Sequence, residues 1–471
     1  MMNISVSVRL VIIFSALASV HLGGVKRLRD HQLERQTQPM GQIRTAAAVL
    51  QSQVQTPIPR PSGVVVRVSN HQGADLGARI NAADKALGGQ KGWILVDTQG
   101  ELRTQARISQ GHTLKFTRGR FPLFNTGIWT SSIVLESDTA VFGEGIDKTV
   151  LVESENAYMA IESAGHAETE QGHYATGTRS NIKIAGFTVE GRNTRAEGGV
   201  RSTIELGNAI GVHIYEVHLK DTTCLGISAG GTGLTGKHAE NWLVEHCVFE
   251  GVASQNLNVV NGQRITFRQN RFLRSGKICD DGKPCEGVTP IDLEPNSSSD
   301  IIKDITIEDN VIDSTDSRFA HGNGILVQNT VGVRGYGPVR VLRNRITGGP
   351  LKDNFSGHIY SGIYVNGGTN TTISGNEIIR TAHSGIRVEN ASGLLVERNR
   401  LVSTGTGGIE SFEVLSTVDS RFVFNSVTVD PRSPLGRAAI VESGKSDRNY
   451  YEGNIAPQGI ALIGKSSTIR K

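Results

Sequence analysis

The chain has 471 residues, enough by length for about three globular domains, yet 56 glycines against 14 phenylalanines suit stacked short strands and turns better than several compact cores. The formal charge of +4 permits an anionic partner without requiring one. No zinc-spaced cluster, Walker loop, dinucleotide fingerprint or nucleic-acid motif occurs, so neither a cofactor nor a nucleic-acid partner is expected.

Residues 1–20 read as a secretory signal. Arg9 supplies the positive region, LVIIFSALASV is a short apolar run, and Ala16 and Ala18 lie at a small-residue cleavage site. The run is too short to span a bilayer permanently, and no later stretch could do so. The expectation is a secreted, periplasmic or cell-surface protein with no stable membrane span after signal removal. Residues 21–61 are basic and Gln-rich, end in PIPRPSG, and read as a disordered linker. Residues 62–130 read as an N-terminal cap with the first strands. A strand at 63–68 precedes DLGARINAADKALG (75–88), an amphipathic helix with Leu76, Ile80, Ala83 and Leu87 on one face and Gly88 as its stop. WILVD (93–97), HTLKFT (112–117) and SIVLES (132–137) then begin a coil.

Residues 131–471 repeat one phrase, seen most plainly in GIRVENASGLLVERNRLVSTGTGGI (385–409). Its two Gly-Ile pairs are 23 residues apart, and the three short alternating runs in that interval leave too few residues for helical crossovers, so the chain must coil on itself. Aligning the phrases gives an apolar column: Ile161, Ile204, Ile227, Leu257, Ile291, Ile325, Ile363, Ile386, Ile409, Ile440 and Ile460. A second column holds Asn270, Asn310, Asn344, Asn376, Asn399, Asn425 and Asn454. Asn tolerates the left-handed backbone that a sharp turn needs, and stacked Asn side chains can hydrogen-bond along the stack.

These two columns resemble the right-handed parallel β-helix of the pectate lyase (pectin lyase-like) superfamily, in which an Asn ladder marks a turn. The resemblance covers roughly residues 62–471. It implies an all-β solenoid of about ten to twelve coils, an N-terminal capping helix, and a carbohydrate ligand on the first sheet. The NTD, DD, GHG and RIK set of polygalacturonases and the DPH motif of alginate epimerases are absent, so the resemblance concerns architecture.

Side chains alternate along a strand, so residues one and three after each column position point outward. Those positions, with Tyr360 and His383 three residues before the column, place Asn258, Asp292, Glu294, Gln328, Tyr360, Tyr364, Asn366, His383, Arg387, Glu389 and Glu410 on one face; Phe412 also falls outward on this alignment. Inserted loops add Lys352 and His358. A flat sheet edged by loops makes an elongated groove for a linear polymer, with tyrosines for sugar rings and amides and carboxylates for hydroxyls. Two chemistries fit. A polysaccharide lyase acting on uronates needs a cation on the substrate carboxylate and a base for the C5 proton, roles available to Arg387 and to His383, Tyr364 or Lys352. A glycoside hydrolase needs a carboxylate pair, available in Asp292 and Glu294. Arg387 could instead simply pair with Glu410. A non-catalytic, carbohydrate-binding solenoid is the third reading. His213, His218 and His246 fall beside the second strand and read as structural.

Cys279 and Cys285 bracket CDDGKPC and are close enough to form a disulfide in an exported protein. Cys224 and Cys247 fall in different columns and are expected reduced. Asp280, Asp281 and Glu286 gather oxygens compatible with calcium, although no metal is required. The chain is expected to be a monomer whose partner is a polysaccharide.

Overall fold

The computed structural model describes residues 56–124, 131–154, 159–164, 177–192, 202–223, 225–231, 236–276, 288–315, 321–348, 358–359, 361–405, 410–429 and 438–470. The expected signal, most of the expected linker, Cys224, the expected Cys279–Cys285 disulfide, Asp280, Asp281, Glu286, Ile409, Lys352 and Tyr360 lie outside these residues, as does the side chain of His358.

Among the described residues the coils form a 13-stranded and a 24-stranded sheet, with parallel pairing from each coil to the next. The 13-stranded sheet carries the apolar column in continuous register: Ile133, Ile161, Ile204, Ile227, Leu257, Ile291, Ile325, Ile363, Ile386, Phe412, Ile440 and Ile460. Its members from Ile133 to Ile440 are buried in one core running through the coils. Full burial of each such side chain contributes roughly 1.5–3 kcal/mol.

One column position differs from the sequence alignment. Phe412, rather than Ile409, pairs with Ile386 and Ile440. Phe412 is therefore buried within the solenoid instead of pointing out, and the outward position beside Arg387 belongs to Glu413 instead of Glu410. The physical reason is that an interior column selects apolar bulk. Phe412 fills it by stacking edge-on against Phe422, with centroids 5.6 Å apart.

The Asn column is a ladder at the bend between the two strands that each coil gives to the larger sheet. Asn270, Asn310, Asn344, Asn376, Asn399 and Asn425 each donate from Nδ2 to Oδ1 of the next Asn, at 2.9–3.1 Å, ending on Asn454. The ladder Asn residues do not take the left-handed conformation themselves. The preceding residues do: Gln269, Asp309, Arg343, Gly375, Arg398, Phe424 and Gly453 have φ between 53° and 66°. The turn thus rests on the residue before Asn, and the Asn amide satisfies the backbone groups that the turn frees. Cys247 takes the position above Asn270 and donates its backbone N–H to Asn270 Oδ1 at 3.0 Å. Its thiol is free and buried, and burial pushes its pKa up to about 12, so it is inert.

Helix α1 (Leu76–Leu87) precedes the coils. Asp75 accepts from the Ala78 N–H at its start, and Gly88 ends it at φ 58°. Leu76, Ile80, Ala83 and Leu87 join the solenoid core. Near the other end, Glu442 occupies an inward position beside Val414 and accepts hydrogen bonds from Asn449, Tyr451, Ser467 and the backbone N–H groups of Ile463 and Gly464. No helix among the described residues is long and apolar enough to cross a membrane.

Candidate functional site

Register fixes which side chains share the outer face of the 13-stranded sheet. One outward row runs Asn258, Asp292, Leu326, Tyr364, Arg387, Glu413. A second, two residues along each strand, runs Gln328, Asn366, Glu389, Leu415. Strands about 4.8 Å apart bring side chains of neighbouring coils into contact.

Two clusters result. In the first, Asp292 is buried and accepts from Gln255 Nε2 at 3.3 Å, while Gln328 Nε2 donates to Glu294 Oε1 at 3.4 Å. Burial, and then the neighbouring Glu294, push the Asp292 pKa well above the usual carboxylate range. Asn258 and Tyr336, both buried, lie in the same region, and burial, with a smaller contribution from Asp292, raises the pKa of Tyr336.

The second cluster joins three successive strands. Tyr364 Oη donates to Glu389 Oε2 at 2.7 Å, and Arg387 Nη2 donates to the same oxygen at 2.8 Å. Arg387 Nη1 lies 3.4 Å from Glu413 Oε2. Its guanidinium also sits 5.2 Å from the centre of the Tyr364 ring, a cation–π contact. His383 Nδ1 is 3.2 Å from Ser384 Oγ, and that hydroxyl donates to Glu413 Oε2 at 3.2 Å. Arg387 therefore pairs with Glu389 and Glu413, while Glu410 lies close enough to raise the pKa of Glu413.

Burial, followed by the Arg387 charge, depresses the pKa of His383 to about 4, so the imidazole is neutral at physiological pH. Burial and the hydrogen bond to Glu389 raise that of Tyr364, so its phenol keeps its proton. Burial also raises Glu413, although Arg387 opposes it. Burial works against the Arg387 charge, yet Glu413 and Glu389 more than offset it. A neutral imidazole, a protonated phenol and a guanidinium thus occupy one patch.

Of the sequence candidates, the structure gathers Tyr364, His383, Arg387 and Glu389 into one network, and Asp292 with Glu294 and Gln328 into another. Asn366 lies between Gln328 and Glu389, half-buried. Sequence reasoning missed Ser384, Glu413 and Gln255. Glu413 had a usable signal: Ile363 to Asn376, Ile386 to Asn399 and Phe412 to Asn425 are each 13 residues, whereas Ile409 breaks that interval. His213 and His218 belong to the larger sheet, where they meet Glu245 at 2.8 Å and Glu250 at 3.1 Å. Among the described residues no group of three or more His, Cys, Asp or Glu side chains is arranged to hold a metal ion.

Comparison with known proteins agrees with this architecture. Residues 316–467 match the family described as a right handed beta helix region. The A-module of the Azotobacter vinelandii mannuronan C-5 epimerase AlgE6 superposes with a TM-score of 0.59 at 14% identity, covering 86% of this chain and 98% of that one. The AlgE4 A-module from the same organism gives 0.55 at 14% identity, covering 87% and 100%. No curated protein matches in sequence. The chain is a right-handed parallel β-helix protein, and the likeness to the epimerase modules is one of fold.

Proposed function

We propose that the outer face of the 13-stranded sheet binds a uronic-acid-containing polysaccharide and cleaves it by β-elimination. The observation that carries this reading is the convergence of His383, Tyr364 and Arg387 in one hydrogen-bonded patch. Arg387 exchanges a carboxylate partner for the substrate carboxylate and so stabilises the charge that develops when C5–H is broken. His383, neutral and partly desolvated, takes that proton. The C5 electron pair forms the C4–C5 double bond as the C4–O bond breaks, and Tyr364 hands its proton to the departing glycosidic oxygen. Epimerisation at C5 of a uronate begins with the same C–H cleavage, which makes the fold shared with mannuronan C-5 epimerase modules a compatible setting. Export directed by residues 1–20 gives the groove access to extracellular polymers.

A glycoside hydrolase is the second reading, favoured by one observation: burial and the neighbouring Glu294 raise the pKa of Asp292 well above the usual carboxylate range, the direction a general acid requires. The purified protein should be incubated with alginate, polygalacturonate and neutral glucans while absorbance near 235 nm and new reducing ends are followed. Both signals together on a uronate polymer are expected. Reducing ends alone would transfer the assignment to Asp292 and Glu294. Silence on both, with retention on a polysaccharide column, would leave a binding module.

A further inference from the structure

We infer that Glu413, acting through Ser384, sets the tautomer of His383, placing the proton on Nδ1 and making Nε2 the basic nitrogen. Its catalytic meaning rests on the lyase reading above; the tautomer itself does not. Glu413 Oε2 faces Arg387 Nη1 at 3.4 Å, which keeps that oxygen an acceptor. The Ser384 hydroxyl donates its single proton to the same oxygen at 3.2 Å. Ser384 Oγ therefore has only lone pairs to offer His383 Nδ1, 3.2 Å away, so the imidazole must donate from Nδ1. A neutral imidazole carries one N–H, and Nε2 is left as its base.

The backbone fixes the arrangement. The His383 carbonyl accepts from Gly405 N at 2.8 Å and from Thr381 Oγ1 at 3.0 Å, so the imidazole is carried on an anchored segment. Glu413 rides on the neighbouring strand through the in-register pairing of Arg387 with Glu413. Base orientation thus depends on a residue one coil away. Ser384 and Glu413 are positioning residues, since they act through His383.

The test is long-range proton–nitrogen NMR of the full-length protein with ring-labelled histidine at pH 7, with His383 assigned by its loss in His383→Gln. Wild type should show Nδ1 protonated and Nε2 in the unprotonated range. Glu413→Leu frees the Ser384 hydroxyl to donate to Nδ1 and should move the proton to Nε2. Ser384→Ala should give mixed tautomers, and Ser384→Thr should restore the wild-type pattern. On a cleaved polymer, Ser384→Ala should lower kcat about tenfold or more with KM little changed. An Nε2-protonated wild type, or a tautomer unmoved in Glu413→Leu and Ser384→Ala, overturns the inference. An Nδ1-protonated His383 that moves as expected in a protein inactive on every polymer upholds the inference while refuting the lyase reading.

Discussion

Replacing Asn344 with Ala probes the ladder at its centre. The Asn344 amide donates to Ile307 O at 2.9 Å and to Asn376 Oδ1 at 3.0 Å, and its Oδ1 accepts from the Asn310 backbone N and from Asn310 Nδ2, both at 3.0 Å. Alanine removes all four bonds. Asn376 Oδ1 keeps its bond from Asn344 N, and Asn310 Nδ2 keeps its bond to Phe267 O. Three buried groups lose a partner: the Ile307 carbonyl, the Asn310 backbone N–H and one Asn310 amide hydrogen. At about 1–3 kcal/mol for each, the loss is about 3–6 kcal/mol after partial hydration of the gap. The exposed Arg345→Ala, which gives up only a long pair to Glu377, should cost less than about 1 kcal/mol. Urea titration would read the difference in midpoint. Because coils contact only their neighbours, hydrogen exchange should accelerate first at the amides of residues 302–313 and 339–347. A cost below about 1 kcal/mol, or exchange raised evenly along the solenoid, would refute the view that the ladder stabilises each turn.

Three further outcomes follow from buried ionisable groups. Glu153 is fully buried, and burial raises its pKa from 4.5 to about 8. Its folded pKa lies above its unfolded one, so stability present below about pH 4.5 is lost as the pH rises towards 8, by up to about 4–5 kcal/mol. Glu153→Gln should flatten the pH dependence of the denaturation midpoint across that window. His383 shifts the other way, from 6.5 to about 4, so its contribution is present above about pH 6.5 and falls as the pH drops towards 4, by up to about 3 kcal/mol. His383→Gln should remove that acid-side loss in the same titration. Glu442→Ala strips the acceptor from five donors and should cost about 3 kcal/mol or more, with protection lost first in residues 449–470 by hydrogen exchange.

The columns were legible in the sequence because both are repeated physical demands. The interior requires an apolar residue at each coil, and ten of the eleven proposed positions hold. The turn requires an amide that can both donate and accept, and the ladder runs through all seven Asn. The failure at Ile409 has an equally physical origin. A Gly-Ile pair resembles the others locally, but the interior reads size and polarity, which Phe412 satisfies in the sequence FEVL as Ile386 does in IRVE. That three-residue slip hid Glu413 and with it the partner of Ser384 and Arg387. The left-handed residue was assigned to Asn by its propensity, whereas the amide must stay free to bridge coils, so Asp309, Arg343 and Arg398 take the strain. Gln255 was illegible because it reaches the Asp292 cluster from a segment outside the repeated strands.

The most direct test of the catalytic account is proton exchange at C5. A uronate polymer would be incubated with the protein in D2O and the H5 resonances and reaction products followed by NMR. The account predicts that wild type breaks C5–H, seen as unsaturated product or as deuterium entering C5, and that His383→Gln does neither. Chain cleavage by wild type with every C5 proton retained and no unsaturated ends would contradict it.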